Sequence, residues 1–169
     1  MAQAKDIMNR QVISISPKAK IEEAIKVLAI NKTSGLPVVD ADNKIVGIIT
    51  ERNILEYCEE LQVIPFSGTS NWVSPYKDVR ETTSFKKGIK LLACTKVENV
   101  MSRKVIQAEE NASWQEIISL INRPSIDRIS IVNTAGVLQG IITRNDLLQY
   151  LATGADVELA EAEYLNDNY

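Results

Sequence analysis

An α/β (α+β) fold of two β-α-β-β-α units packed through their sheets is predicted by two observations on this chain of 169 residues. The first is a repeat. Residues 6–57 align with residues 99–150 without a gap, and Gly-Ile-Ile-Thr stands whole at 47–50 and again at 140–143. A gapless match of that length marks one supersecondary unit used twice. The second is that apolar spacing alternates inside each copy between that of a strand and that of a helix face. A three-stranded sheet with two helices on one face leaves its other face bare, and pairing two units covers both.

The elements follow in order. Gln11-Val-Ile-Ser-Ile15 is a β-branched segment stopped by Ser16-Pro17. Ile21, Ala24, Ile25 and Leu28 then share one face of a helix running to about Asn31. Leu36–Val39 and Lys44–Thr50 read as strands joined by the turn Asp40-Ala-Asp-Asn43. A helix from Arg52 to Glu60 closes the copy, with Ile54, Leu55 and Cys58 as its apolar face. The second copy gives Val105-Ile106, a helix Trp114–Asn122, strands Ile129–Val132 and Val137–Thr143, and a helix Asn145–Ala152.

The domains expected are therefore 1–60 and 98–153. Between them, residues 61–97 are a long connection, loop-like where Pro65, Gly68 and Pro75 stand. Its second half places Phe85, Ile89, Leu92 and Ala93 on one helical face, with Lys86, Lys87 and Lys90 on a solvated one. Residues 154–169 form an acidic tail, part of it expected to be helical.

Composition narrows the function. The chain has no histidine, which removes the commonest general acid–base and metal ligand. No nucleophile–base pair or metal cluster can be drawn from the remaining residues, so no catalysis, cofactor or metal is expected. A net charge of −3, with two Phe and two Trp, gives no reason to expect nucleic acid or an anionic membrane as partner. No stretch reaches the roughly 20 apolar residues of a membrane span, and the N-terminus does not read as a secretory signal. Cys58 and Cys94 form no CxxC pair and read as small apolar fillers in a reducing cytoplasm. Trp72 and Trp114 read as packing residues, Trp114 standing where the first copy has Ile21.

Leu36-Pro-Val-Val-Asp40 followed by Gly47-Ile-Ile-Thr50 and a helix resembles the core signature of the cystathionine-beta-synthase (CBS) domain, and Asp6-Ile-Met8 with Val12 resembles its first segment. Val100-Met101, Ile131-Val-Asn133 and Gly140-Ile-Ile-Thr143 repeat the match, so the resemblance covers about 105 residues. It implies a Bateman module, a tandem pair with pseudo-two-fold symmetry whose clefts hold AMP, ADP, ATP or S-adenosylmethionine as regulatory ligand. Such modules often pair as homodimers and signal to a separate protein effector. The alternative is a ligand-free dimerisation or interaction scaffold.

In the family a small residue, two aliphatics, Ser/Thr, two variable residues and Asp recognise ribose. Here Gly140-Ile-Ile-Thr143-Arg144-Asn145-Asp146 matches in full, while Gly47-Ile-Ile-Thr50-Glu51-Arg52-Asn53 ends in Asn. An Asp carboxylate can accept from two ribose hydroxyls, whereas Asn has one acceptor oxygen and no charge. The same Thr-x-x-Asp spacing is also that of a capping box, and the two roles are compatible. The resemblance further implies backbone contacts at Arg10 to Val12, Arg103 to Val105, Ser34-Gly35-Leu36-Pro37 and Asp127 to Ile129. It leaves Arg10, Arg103, Arg128 and Arg144 as cations within reach of a phosphate.

Overall fold

The computed structural model describes residues 2–61 and 83–153. The chain divides into two compact units that do not follow the repeat boundaries. One unit draws on Met1–Ile13, Asp42–Ile45 and Val105 onward, the other on Ser14–Ala41 and Val46–Lys104. The first segment of each copy therefore belongs with the body of the other.

In chain order the elements are α1 (Ala4–Ile7), α2 (Ile21–Asn31), β1 (Gly35–Val39), β2 (Ile45–Thr50), α3 (Glu51–Glu60) and α4 (Thr83–Cys94). They continue with a 3-10 turn (Val97–Asn99), β3 (Gln107–Glu109), α5 (Trp114–Ile121), β4 (Arg128–Val132), β5 (Leu138–Thr143) and α6 (Arg144–Ala152). The mixed α/β order is the one the repeat predicts. The loop from Pro65 to Pro75, Trp72 and the acidic tail lie outside the described residues.

The unit holding β4 and β5 has a sheet of order β3-β4-β5. β4 pairs parallel with β3 and antiparallel with β5, with a register shift between Ile131 and Val132. β3 lies two residues beyond the expected Val105-Ile106, although Ile106 already accepts the Ser130 N–H. All of β4 is buried, as a central strand should be. Ile117 of α5 packs with Ile129, Ile131 and Ile142, each at 0 % exposure. Trp114 packs against this core and against the Tyr150 ring, their centroids 5.7 Å apart.

The other unit pairs β1 with β2. The predicted strand at Gln11–Ile15 narrows to a single parallel bridge between Ile15 and Val38. Ile21, Ala24, Leu36, Val38, Ile49 and Val97 form its core. α4 joins this unit through Leu92, which is buried, whereas Ile89 is exposed. Its C-terminal end is tied in because Thr95 accepts the Ile21 N–H at the start of α2. The Tyr57 hydroxyl and Thr95 Oγ1 are 3.1 Å apart in a hydrogen bond.

Ile25 and Leu55 also depart from expectation. Both lie on faces read as apolar, yet both are exposed, because the packed stripe of each helix is narrower than its apolar stripe. Cys58 is buried as a filler, and burial pushes its thiol pKa up. Cys94 is exposed, so the filler expectation fails for it.

Two positions related by the repeat carry left-handed backbone. Asn43 (φ 58°) and Gly136 (φ 77°) turn the two β-hairpins, and both residue types tolerate that region.

Candidate functional site

β5 ends at Thr143, and α6 starts at the next residue. Thr143 has extended backbone (φ −108°, ψ 168°) and acts as N-cap. Its hydroxyl accepts the Asp146 N–H at 3.3 Å. Asp146 Oδ2 accepts both from the Thr143 N–H, at 2.7 Å, and from the Thr143 hydroxyl, at 2.6 Å. This is a complete capping box. Oδ2 carries both bonds, and Oδ1 has no hydrogen-bond partner among the described residues. Asp146 is half-buried, so this second oxygen is an unused acceptor at a helix start.

The register of β4 on β5 sets Arg128 opposite Thr143 and Ile129 opposite Ile142. Asp127 to Ile129 therefore lie beside the capping box. Val105 comes to the same end of the sheet through Ile106, whose carbonyl accepts the Ser130 N–H.

The arginines behave differently from the expectation. Arg128 is buried and donates to both carboxylate oxygens of Asp127, at 3.2 Å each. Arg144 turns its guanidinium to backbone, donating to Ile126 O at 2.9 Å and Ile121 O at 3.4 Å. It thereby fastens the chain between α5 and β4 to the first turn of α6. Both guanidinium groups are engaged by the protein in this structure. Asn145 is exposed beside them.

The other unit repeats the box around Thr50. Asn53 Oδ1 accepts from the Thr50 hydroxyl at 2.8 Å and from the Thr50 N–H at 3.1 Å. The Thr50 hydroxyl accepts the Asn53 N–H at 3.3 Å. Ser34 O accepts the Glu51 N–H, which brings Ser34, Gly35, Leu36 and Pro37 to the start of α3. Gly35 stands where the other copy has Arg128, and Glu51 where it has Arg144. Arg52 is exposed, with Glu56 4.0 Å away.

Among the described residues, no hydrogen bond joins Arg10, Val12 or Arg103 to either box. Asn9 pairs antiparallel with Ile141, and Ser102 with Ile48. Asn9 and Ser102 both turn the chain there, accepting from Gln11 N–H and Lys104 N–H. Sequence reasoning missed the partners of these segments, Gly140 and Gly47. The signal available was the recurrence of Met and Gly at matching positions of both copies.

Two mixed α/β units, each ending a hairpin strand in a capped helix, define a duplicated module with one candidate site per copy. The CBS domain family model matches residues 4–60 and 97–153, and the chain belongs to that family. It is 34 % identical over 151 residues to uncharacterised protein MJ1426 of Methanocaldococcus jannaschii, covering 87 % of this chain and 89 % of that one. Among solved structures it resembles CBSX2 in complex with AMP, with a TM-score of 0.68 and 19 % identity, covering 90 % of this chain and 98 % of that one. It also resembles the CBS domain pair of protein MJ0100 in complex with 5-methylthioadenosine and S-adenosyl-L-methionine. That likeness has a TM-score of 0.62 and 22 % identity, covering 90 % and 98 % of the two chains. At these identities the solved structures establish the fold.

Proposed function

We propose that this chain is a regulatory, ligand-sensing module that binds an adenosyl compound at the Thr143–Asp146 site and passes the signal to another protein without turnover. The observation that carries the reading is Asp146 Oδ1, an acceptor left over after the cap is complete. Ribose presents hydroxyl donors, and a carboxylate oxygen accepting them makes charge-assisted bonds. The two ligand-bound CBS structures support the adenosyl class, since AMP, methylthioadenosine and S-adenosylmethionine share the adenosine moiety.

The charges favour a ligand with few phosphates. Arg128 and Arg144 are held by Asp127 and by backbone carbonyls, and the Asp127 side chain is itself 59 % exposed. A polyphosphate would face that carboxylate without a free guanidinium from either residue. AMP or S-adenosylmethionine therefore fits better than ATP. Both unpaired cysteines suit a reducing cytoplasm. No helix among the described residues is long and apolar enough to cross a membrane.

A second reading, a scaffold that works by association alone, is favoured by one observation. Leu55 and Leu148, which match across the repeat, are 55 % and 65 % exposed on α3 and α6, and Ile25 and Leu151 are exposed as well. These helix faces suit a homodimer. Sensing and dimerisation are compatible.

Titration calorimetry with AMP, ADP, ATP, S-adenosylmethionine and GMP tests the proposal. Heat is expected for the adenosine compounds, strongest for AMP or S-adenosylmethionine. A ligand at 100 times its Kd should also stabilise the fold by about 2.7 kcal/mol in a thermal shift. Silence for every adenosine compound leaves the scaffold reading.

A further inference from the structure

The two capping boxes have the same geometry but leave opposite hydrogen-bonding groups free. In the Thr143 box one carboxylate oxygen of Asp146 closes the cap, and the atom left over is a second oxygen, an acceptor. In the Thr50 box the cap fixes which way the Asn53 amide faces. The Thr50 N–H and hydroxyl both direct hydrogens at it, and only its oxygen can receive them. The atom left over is Nδ2, a donor, and it has no hydrogen-bond partner among the described residues. The Asp-to-Asn difference thus reverses the polarity of the free group as well as removing a charge.

From this the geometry points to Asn53 as a specificity-determining residue that makes the Thr50 site read ribose oxygens as acceptors. That site takes an adenosyl ligand whether or not its 2′ and 3′ oxygens carry hydrogen, and so admits sugars substituted on those oxygens. The Thr143 site requires the free diol, because Asp146 can bind only a hydroxyl that donates. This inference rests on the adenosyl reading proposed for the Thr143 site and extends it to the Thr50 site. The cap itself is indifferent to the exchange, since each copy closes the same box with the other's residue type. Asn53→Asp and Asp146→Asn should therefore both fold.

The experiment is two-site calorimetry on wild type and both variants, using AMP, 2′-O-methyl-AMP and 3′-O-methyl-AMP. Methylation keeps the oxygen and removes its hydrogen. In wild type at least one of the two methyl derivatives should lose about 10–150-fold in affinity at the Thr143 site, the worth of a whole hydrogen bond to a charged group. At the Thr50 site both should stay within about threefold of AMP. Asn53→Asp should make the Thr50 site sensitive to methylation, and Asp146→Asn should make the Thr143 site tolerant. Equal sensitivity at both wild-type sites, or an Asn53→Asp protein that keeps its tolerance, overturns the assignment. So does a Thr50 site that takes neither AMP nor its methyl derivatives. Absence of AMP binding at both sites, with no other adenosine compound bound, is the distinct failure of the adenosyl reading itself, and the assignment falls with it.

Discussion

The sulfur of Met8 lies so close over Gly140 that a Cβ on that glycine would stand 2.5 Å from it, and Met101 stands in the same relation to Gly47. Both pairs join residues of different copies, and the repeat offset relates one pair to the other. Each glycine leaves room on its strand for the first segment of the other copy, which pairs there through Asn9–Ile141 or Ser102–Ile48.

Gly140→Ala should therefore destabilise the protein by about 1–3 kcal/mol, the usual range for overpacking a filled site. The added methyl meets Met8 Cγ and Cβ as well as the sulfur, so a change of rotamer at the end of the side chain does not relieve it. Denaturant unfolding of Gly140→Ala, Met8→Ala and the double variant checks this, with the double variant costing less than the sum.

Thr143→Ala removes the hydroxyl that satisfies the Asp146 N–H, and should cost about 1 kcal/mol of stability, as N-cap losses do. Thr143→Ser should restore most of it. Asp146→Asn should leave stability near wild type, because Asn53 closes the same box, while AMP affinity falls about 5–30-fold. Affinity unchanged by Asp146→Asn would reduce this residue to a helix cap.

Arg144→Gln should act on stability rather than on phosphate recognition. It loses charged hydrogen bonds to the Ile121 and Ile126 carbonyls, one of them long, for a cost of about 1–2 kcal/mol. The ratio of AMP to adenosine affinity should stay within about twofold of wild type. A large fall in that ratio would show that the guanidinium leaves the carbonyls for the ligand.

Cys94 should react with a soluble thiol reagent in the native protein, and Cys58 only on unfolding. Burial raises the Cys58 pKa, so the folded state holds its proton to higher pH than the unfolded chain does. Stability linked to this thiol is present below the unfolded pKa and declines as pH rises through the folded one. Mass spectrometry after brief labelling at about pH 8 should show one modified cysteine.

Leu148→Glu should weaken self-association and leave the monomer fold intact, since the side chain is 65 % exposed. Light scattering of wild type and variant at micromolar concentration checks this. A wild-type monomer would remove the dimer from the proposal.

The sequence alone determined the repeat, the order of its elements and the position of the Thr143 capping box. These depend on spacing over a few residues, and local spacing survives in any environment that keeps the helix and strand. Thr143 and Asp146 were legible for that reason, as was the difference at Asn53. Tertiary structure alone decided what the longer side chains do. Arg128 and Arg144 read as free cations until the register of β4 and the path after α5 placed Asp127 and two carbonyls against them. It also decided that the segment after Met8 runs beside β5 of the other copy, and that Ile25, Leu55 and Ile89 stay uncovered. The physical reason is the same in each case. An apolar stripe or a charge in the sequence states what a side chain can bind, and only the fold brings up the surface that binds it.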